Sequence, residues 1–156
     1  MIKVLIQVQA GSGDRKIYNE QTLEYRETRQ GARPYPYAYG FIVGTWAEDG
    51  DAVDCYVLTR DGVAAGEIVE CEPVGLLEQD EDGEIDHKVL AVIPGQHVDL
   101  KDELLRELQD FIYAMFSEYP EMHVSVGPIR SREAGLPPGA TSSPVDCPRR
   151  RSTSTP

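Results

Sequence analysis

Basic residues are scarce through most of this chain of 156 residues. With Arg149, Arg150 and Arg151 at the C-terminal end set aside, 12 Lys and Arg remain against 26 Asp and Glu in the first 145 residues, from totals of 15 and 27. So acidic a body repels nucleic acid and anionic membrane surfaces, which excludes both as partners, and it attracts cations. Long apolar runs are lacking as well. No stretch approaches the roughly 20 residues needed to cross a bilayer. Met1-Ile2-Lys3-Val4 opens directly on a strand-like pattern and leaves no room for a leader, so a cytoplasmic location is the expectation. Cysteine is sparse: Cys55, Cys71 and Cys147 share no short spacing, so neither a zinc site nor a disulfide framework is indicated. Cys55 and Cys71 lie in apolar runs and read as small buried hydrophobes. His87, His97 and His123 show no ligand spacing, and there is no internal repeat.

What is present is the content of a soluble globular domain, 40% hydrophobic and 27% charged, and the length suits one core. Residues 2–9 alternate, with Ile2, Val4, Ile6 and Val8 on one side and Lys3, Gln7 and Gln9 on the other, the period of a half-buried strand. Further strand-like runs fall at 38–45, 53–59, 67–77 and 86–94, separated by Asp- and Gly-rich loops. From Asp99 the period becomes helical. Leu100, Leu104, Leu105, Leu108, Phe111, Ile112, Met115 and Phe116 share one stripe opposite charged residues. Asp99 is the expected N-cap, Asp102 and Glu103 suit the positive end of the helix dipole, and Tyr119-Pro120 is the expected stop. Strands followed by one long amphipathic helix predict an α+β domain over residues 1–135. Residues 136–156, rich in Pro, Ser, Thr and Gly, predict a disordered tail.

Two acidic segments carry the chemistry. Glu48-Asp49-Gly50-Asp51-Ala52-Val53-Asp54 sets three aspartates on a loop and the strand it feeds. Carboxylates so close repel one another and raise one another's pKa unless a cation neutralises them. Mg²⁺ or Mn²⁺ fits, because these ions take carboxylate and water oxygens. The second segment runs from Glu78 to Lys88, and its Asp86 and Lys88, two apart at the start of a strand, share a face. A carboxylate beside a lysine suits a metal held next to a phosphate. Taken singly, either run is more often a solvated turn, and neither has the loop spacing of an EF-hand. Upstream lies Arg33-Pro34-Tyr35-Pro36-Tyr37-Ala38-Tyr39-Gly40-Phe41, whose tyrosines either pack at an edge or offer hydroxyls to an anion.

Together these blocks resemble the signature of the family I inorganic pyrophosphatases. Asp49-Gly50-Asp51-Ala52-Val53-Asp54 is similar to the family's Asp-x-Asp-x-x-Asp motif, with Ala52 where Pro is usual. Tyr35-Pro36-Tyr37-Ala38-Tyr39-Gly40 is similar to its Tyr-Pro-x-x-Tyr-Gly element. Val74-Gly75-Leu76-Leu77, followed by Asp82-Gly83-Glu84-Ile85-Asp86-His87-Lys88, is similar to the segment ending Asp-x-Lys. The resemblance implies an OB-like five-stranded β-barrel flanked by the long amphipathic C-terminal helix. It also implies Mg²⁺-dependent hydrolysis of pyrophosphate to two phosphates by a metal-activated water, without a phosphoenzyme. On the same resemblance, Asp49, Asp54 and Asp86 would hold the first pair of metal ions, and Glu81 would help bind a further one. Asp51 would act as general base on a water bridging two metals, and Lys16, Arg26, Tyr39, Lys88 and Tyr119 would bind phosphate oxygens. A homo-oligomer, a hexamer, is implied by the family alone.

The departures from the family pattern fall in the outer part of the site. Gln7 stands where a metal-supporting Glu is expected, Tyr18 where another Glu would sit, and Pro120 where a second phosphate-binding Lys is usual. Glu81 replaces an Asp, with Asp80 and Asp82 as alternatives, and Arg26 fits only with a one-residue shift, Arg29 being the other candidate. Two rival readings follow: hydrolysis of another phosphoanhydride, since the altered shell is where specificity resides, or a metal- or phosphate-binding module without turnover. Asp51, which a pure binder would not need, favours catalysis.

Overall fold

A computed structural model of the chain describes residues 1–46 and 50–131. Ala47, Glu48, Asp49 and residues 132–156 lie outside the described residues, and both the expected tail and the expected ligand Asp49 fall there. The elements are β1 (Ile2–Val8), β2 (Arg15–Tyr18), β3 (Tyr25–Arg29), β4 (Ala38–Ile42), β5 (Asp54–Val57), β6 (Ile68–Glu81), β7 (Glu84–Ile85), β8 (Lys88–Val92), α1 (Asp102–Phe116) and β9 (Val124–Ser131). Pairing runs β1–β4–β5–β8–β6 and returns from β6 to β1, closing a ring of five strands. Closure removes the unpaired edges that an open sheet would expose. The OB-like architecture expected from the sequence is therefore present, with α1 packed on its side.

β6 makes the closure possible. Its first residues, Ile68–Cys71, pair with β1, its middle pairs with β8 and its end with β7, while β9 runs along Gly75–Glu81. Register irregularities at Pro73/Gly75 and Leu77/Gln79 let this strand bend around the ring. Pro73, which has no N–H to give a ladder, sits at one of them.

Strand alternation sorts the core into two layers. Ala38, Ile42, Cys55, Val57, Val89 and Ala91 turn inward and meet Val4, Ile6 and Cys71 inside the ring. The intervening Tyr39, Tyr56, Leu90 and Val92 turn outward and meet Leu104, Leu108, Phe111 and Ile112 of α1. Strands covered on both faces read as nearly continuous apolar runs, which is why those segments were legible. β1 differs from expectation for the same reason. It is buried from Val4 through Val8 rather than on one face, because Leu5 packs against Phe41 and Ala52 on the ring's outside.

The helix carries the predicted stripe, but its start differs. Its N-cap is Lys101 with no side-chain cap bond, and Asp99 instead accepts from His97 Nε2 at 2.9 Å and pairs with Lys101 Nζ at 3.4 Å. β2, β3 and β9 went unanticipated. β2 and β3 form a separate two-stranded hairpin, short and mostly polar, with β3 exposed throughout. No helix among the described residues is long and apolar enough to cross a membrane.

The glycine of the Tyr-Pro-Tyr-Ala-Tyr-Gly block has a backbone reason to be there. A Cβ on Gly40 would lie 1.9 Å from Leu5 O and 2.8 Å from Leu5 C, where β4 crosses β1. Gly40→Ala is expected to lose at least about 3 kcal/mol, since the obstacle is backbone and has no rotamer to yield. Urea unfolding measures this, and an unchanged midpoint would show that the β1–β4 approach is looser than described.

Candidate active site

The site follows from alternation and register. Phe41 pairs with Asp54 and Tyr39 with Tyr56 across β4 and β5. Cys55 opposite Val89 brings Asp54 alongside Lys88, and Leu77 opposite Lys88 brings the end of β6 to the same place. The outward residues at this end of four strands thus fall on one patch. α1 covers the apolar part and leaves the polar end open as a cleft of about 340 Å³. Tyr39, Asp51, Asp54, Gln79, Glu81, Asp86 and Lys88 line it, with Arg15 and Glu20 from the β2–β3 hairpin and Ile112, Met115 and Phe116 of α1 as an apolar wall.

Lys88 is its centre. The residue is 6% exposed, and its Nζ donates to Asp54 Oδ2 at 2.7 Å and Asp86 Oδ2 at 2.9 Å, with Tyr39 Oη at 3.4 Å. Burial works against the ammonium, yet Tyr39, Asp54 and Asp86 together hold its pKa well above the usual lysine value. Tyr39, fully enclosed, is pushed well above the usual phenol value by burial and then by the Asp54 charge. It is a neutral hydroxyl at any physiological pH.

Glu81 and Asp86 divide the remaining charge between them. Burial, then a hydrogen bond and charge from Asp86, push Glu81 up to about 7. Burial would raise Asp86 as well, but Lys88 and the hydrogen bond from Glu81 hold it below its usual value. Two carboxyls in contact separate in this way because both cannot ionise cheaply at once. Gln79, 3% exposed, donates Nε2 to Glu81 Oε2 at 2.8 Å.

Of the residues named from sequence, Asp51, Asp54, Glu81, Asp86, Lys88 and Tyr39 come together in the cleft. Lys16 and Arg26 do not. On β2, Lys16 and Arg15 point to opposite faces; Arg15 enters the cleft, while Lys16 Nζ lies 4.0 Å from where a Cβ on Gly66 would stand. Arg26 is exposed on β3. Tyr119 lines a neighbouring cavity of about 380 Å³ with Arg29 and Arg33, which shares Arg15, Tyr35 and Met115 with the main cleft. Arg15 is a charged residue of the cleft that sequence reasoning missed. Burial opposes its charge, but Tyr39, Tyr35, Asp54 and Glu20 keep its pKa above the usual guanidinium value. Its Nε is buried without a hydrogen-bond partner among the described residues. The signal that would have found it is the period of a strand at 15–18, too short and polar to read. Gln7, in place of the expected Glu, braces this strand by donating Nε2 to Lys16 O at 3.1 Å.

The donors suit a hard divalent cation. They are carboxylate oxygens, joined by the buried, partnerless Gln79 Oε1, and Mg²⁺ takes such oxygens while keeping several waters. Among the described residues no three carboxylates, histidines or cysteines close up into a ready cage. Asp54 and Asp86 are instead turned to Lys88.

The cleft thus sets carboxylates around a buried lysine on the side of an OB-like ring, beside the guanidinium of Arg15. A family model described as inorganic pyrophosphatase matches residues 4–130, and the chain belongs to that family. It is 38% identical over 94 residues to the inorganic pyrophosphatase of Aquifex pyrophilus, covering 56% of this chain and about half, 53%, of that relative's length. It is 30% identical over 132 residues to that of Sulfolobus acidocaldarius, covering 78% of this chain and 75% of the relative. Among solved structures, the inorganic pyrophosphatase of Thermus thermophilus superposes with a TM-score of 0.76 at 29% identity, covering 95% of this chain and 87% of that one.

Lys88→Met, which keeps the length but removes the charge, leaves Asp54 and Asp86 facing each other. A loss of about 3 kcal/mol in urea unfolding at pH 7 is expected, from the cost of leaving a partly buried ion pair without its partner. Saturating Mg²⁺ is expected to recover part of it. An unchanged unfolding midpoint would remove the lysine from the centre of the site.

Proposed function

We propose that this chain is an inorganic diphosphatase that hydrolyses pyrophosphate to two phosphates with Mg²⁺, or with Mn²⁺ in its place. The observation that carries this reading is the meeting of Lys88, Arg15 and Tyr39 with Asp54, Asp86 and Asp51 in one cleft. Cation and phosphoanion sites there adjoin. The names borne by the matched relatives support the same substrate.

Phosphoryl transfer asks a protein mainly for positioning and charge stabilisation. Asp54, Asp86 and Glu81, with Asp49, would hold divalent cations, which when bound would neutralise phosphoryl oxygens and lower the pKa of water. The side chains do the rest. Arg15 brings its guanidinium to the cleft wall, where it would give a non-bridging oxygen a charge-assisted bond of the stronger kind. Lys88 offers an ammonium already fixed by two carboxylates, and Tyr39 a neutral hydroxyl donor. Asp51, exposed beside the cleft, takes the proton from the attacking water. Tyr119 and Arg29 in the adjoining cavity receive the second phosphate. Ile112, Met115 and Phe116 limit the water that reaches the reacting atoms. The proposal includes a cytoplasmic location and a homo-oligomer, a hexamer, for which Tyr25, Trp46 and Ile68, each about half exposed, offer apolar surface.

Phosphate release from pyrophosphate, with Mg²⁺ and then with EDTA, tests the reading. Asp51→Asn is expected to lower kcat at least about 100-fold, the usual worth of a general base, while Mg²⁺ binding persists. Folded wild-type protein that releases no phosphate with either metal would overturn it. Arg15→Ala is expected to lower kcat/KM by about tenfold or more, and Lys16→Ala by no more than about twofold, as suits a half-buried group that does not line the cleft. The reverse order would return the phosphate contact to Lys16.

A further inference from the structure

The turn after β2 is built to project Glu20. Asn19 Oδ1 accepts from the N–H of Gln21 at 2.8 Å and of Thr22 at 2.9 Å, and Leu23 N donates to Asn19 O at 2.7 Å. Leu23 takes a positive φ of 66° to complete the reversal. From this turn Glu20 reaches 32 residues along the chain, where its Oε1 accepts the N–H of Ala52 at 2.8 Å. Ala52 is also covered by Leu5 and Phe41, with Tyr18 and Leu23 of the hairpin packed against that small cluster. A charged acceptor thus holds the backbone next to Asp51, and the same hairpin carries Arg15 into the cleft.

We infer that Glu20 is a positioning residue that locks the Asp51 loop to the Arg15 hairpin, so that proton acceptor and phosphate donor are set as one unit. A two-stranded hairpin is marginal by itself. The loop is fixed on the β5 side by Val53, whose N–H donates to Thr45 Oγ1 at 3.2 Å and whose O accepts from Ile42 N at 2.9 Å, and the Glu20–Ala52 bond ties its Asp51 side to the hairpin. The effect on turnover rests on the diphosphatase reading, whereas the mechanical link does not.

The test uses the full chain with four forms: wild type, Glu20→Ala, Ala52→Pro and the double variant. Proline at 52 removes the N–H that Glu20 binds and fixes φ, so it stiffens the loop by another route. Amide hydrogen exchange across residues 50–53, read without metal or substrate, is expected to be about tenfold faster in Glu20→Ala, the scale of a lost charged hydrogen bond. With Mg²⁺ and pyrophosphate, Glu20→Ala is expected to lose about tenfold in kcat with KM within about threefold, an interaction felt in the transition state rather than in binding. The double variant is expected to recover to within about twofold of Ala52→Pro, since a stiffened loop no longer needs the glutamate. Unchanged exchange in Glu20→Ala overturns the inference, and so does a double variant as slow as Glu20→Ala. Wild type without turnover sinks the diphosphatase reading alone, because the exchange result stands apart from catalysis.

Discussion

A single buried ammonium organises this protein's chemistry. Lys88 leaves water to sit at 6% exposure, a cost of several kcal/mol for an ion with no partners. Two carboxylates within 2.9 Å offset it, and neither would tolerate the other without it. Asp54 opens β5, and Asp86 stands two residues before the start of β8, so the lysine also joins the ends of the ring's one parallel pair. Charges fixed in this way need no reorganisation when a phosphoanion arrives, the condition under which electrostatic stabilisation is strongest.

That arrangement answers a conflict in the composition. A chain of net charge −12 repels pyrophosphate at long range. The sign reverses only within the cleft, where Arg15 and Lys88 are held above their usual pKa values by the acidic and phenolic groups around them. The surrounding acid keeps the two cations charged, and under the proposed function it would also draw the divalent ions that complete the reversal. Burial and the neighbouring Asp86 push Glu81 up to about 7.

How much of this was legible in the sequence follows from how each part is stabilised. The ring strands announce themselves because both faces are buried, so β4, β8 and most of β1 read as apolar runs. The stripe of α1 was visible for the equivalent reason. The acidic motif and Asp86 with Lys88 were legible because each clusters charge where a loop enters a ring strand, at Asp54 and at Lys88. Asp99 was misjudged as a cap because its carboxylate has a nearer partner in His97. The hairpin was invisible: Arg15-Lys16-Ile17-Tyr18 is half-buried throughout and shows no period. Choosing between Arg15 and Lys16 needed the fold, since adjacent strand residues differ only in which face they take.

The same division explains why the outer contacts depart from the family pattern while the centre holds. Asp54, Lys88 and Tyr39 lie on ring strands whose opposite faces build the core, and Asp86 stands just before one of them, so their positions are fixed by that packing. Arg15, Glu20, Arg29 and Tyr119 sit on the hairpin and beyond the end of α1, where little apolar surface is buried. Such segments open and re-form at low cost compared with the ring. Residues there can change without unfolding the protein, provided that something else restores geometry. Gln7 bracing Lys16 O and Glu20 holding Ala52 N are restorations of that kind. In this fold the site's chemistry is anchored to the ring, and its tuning is delegated to parts that the ring does not need.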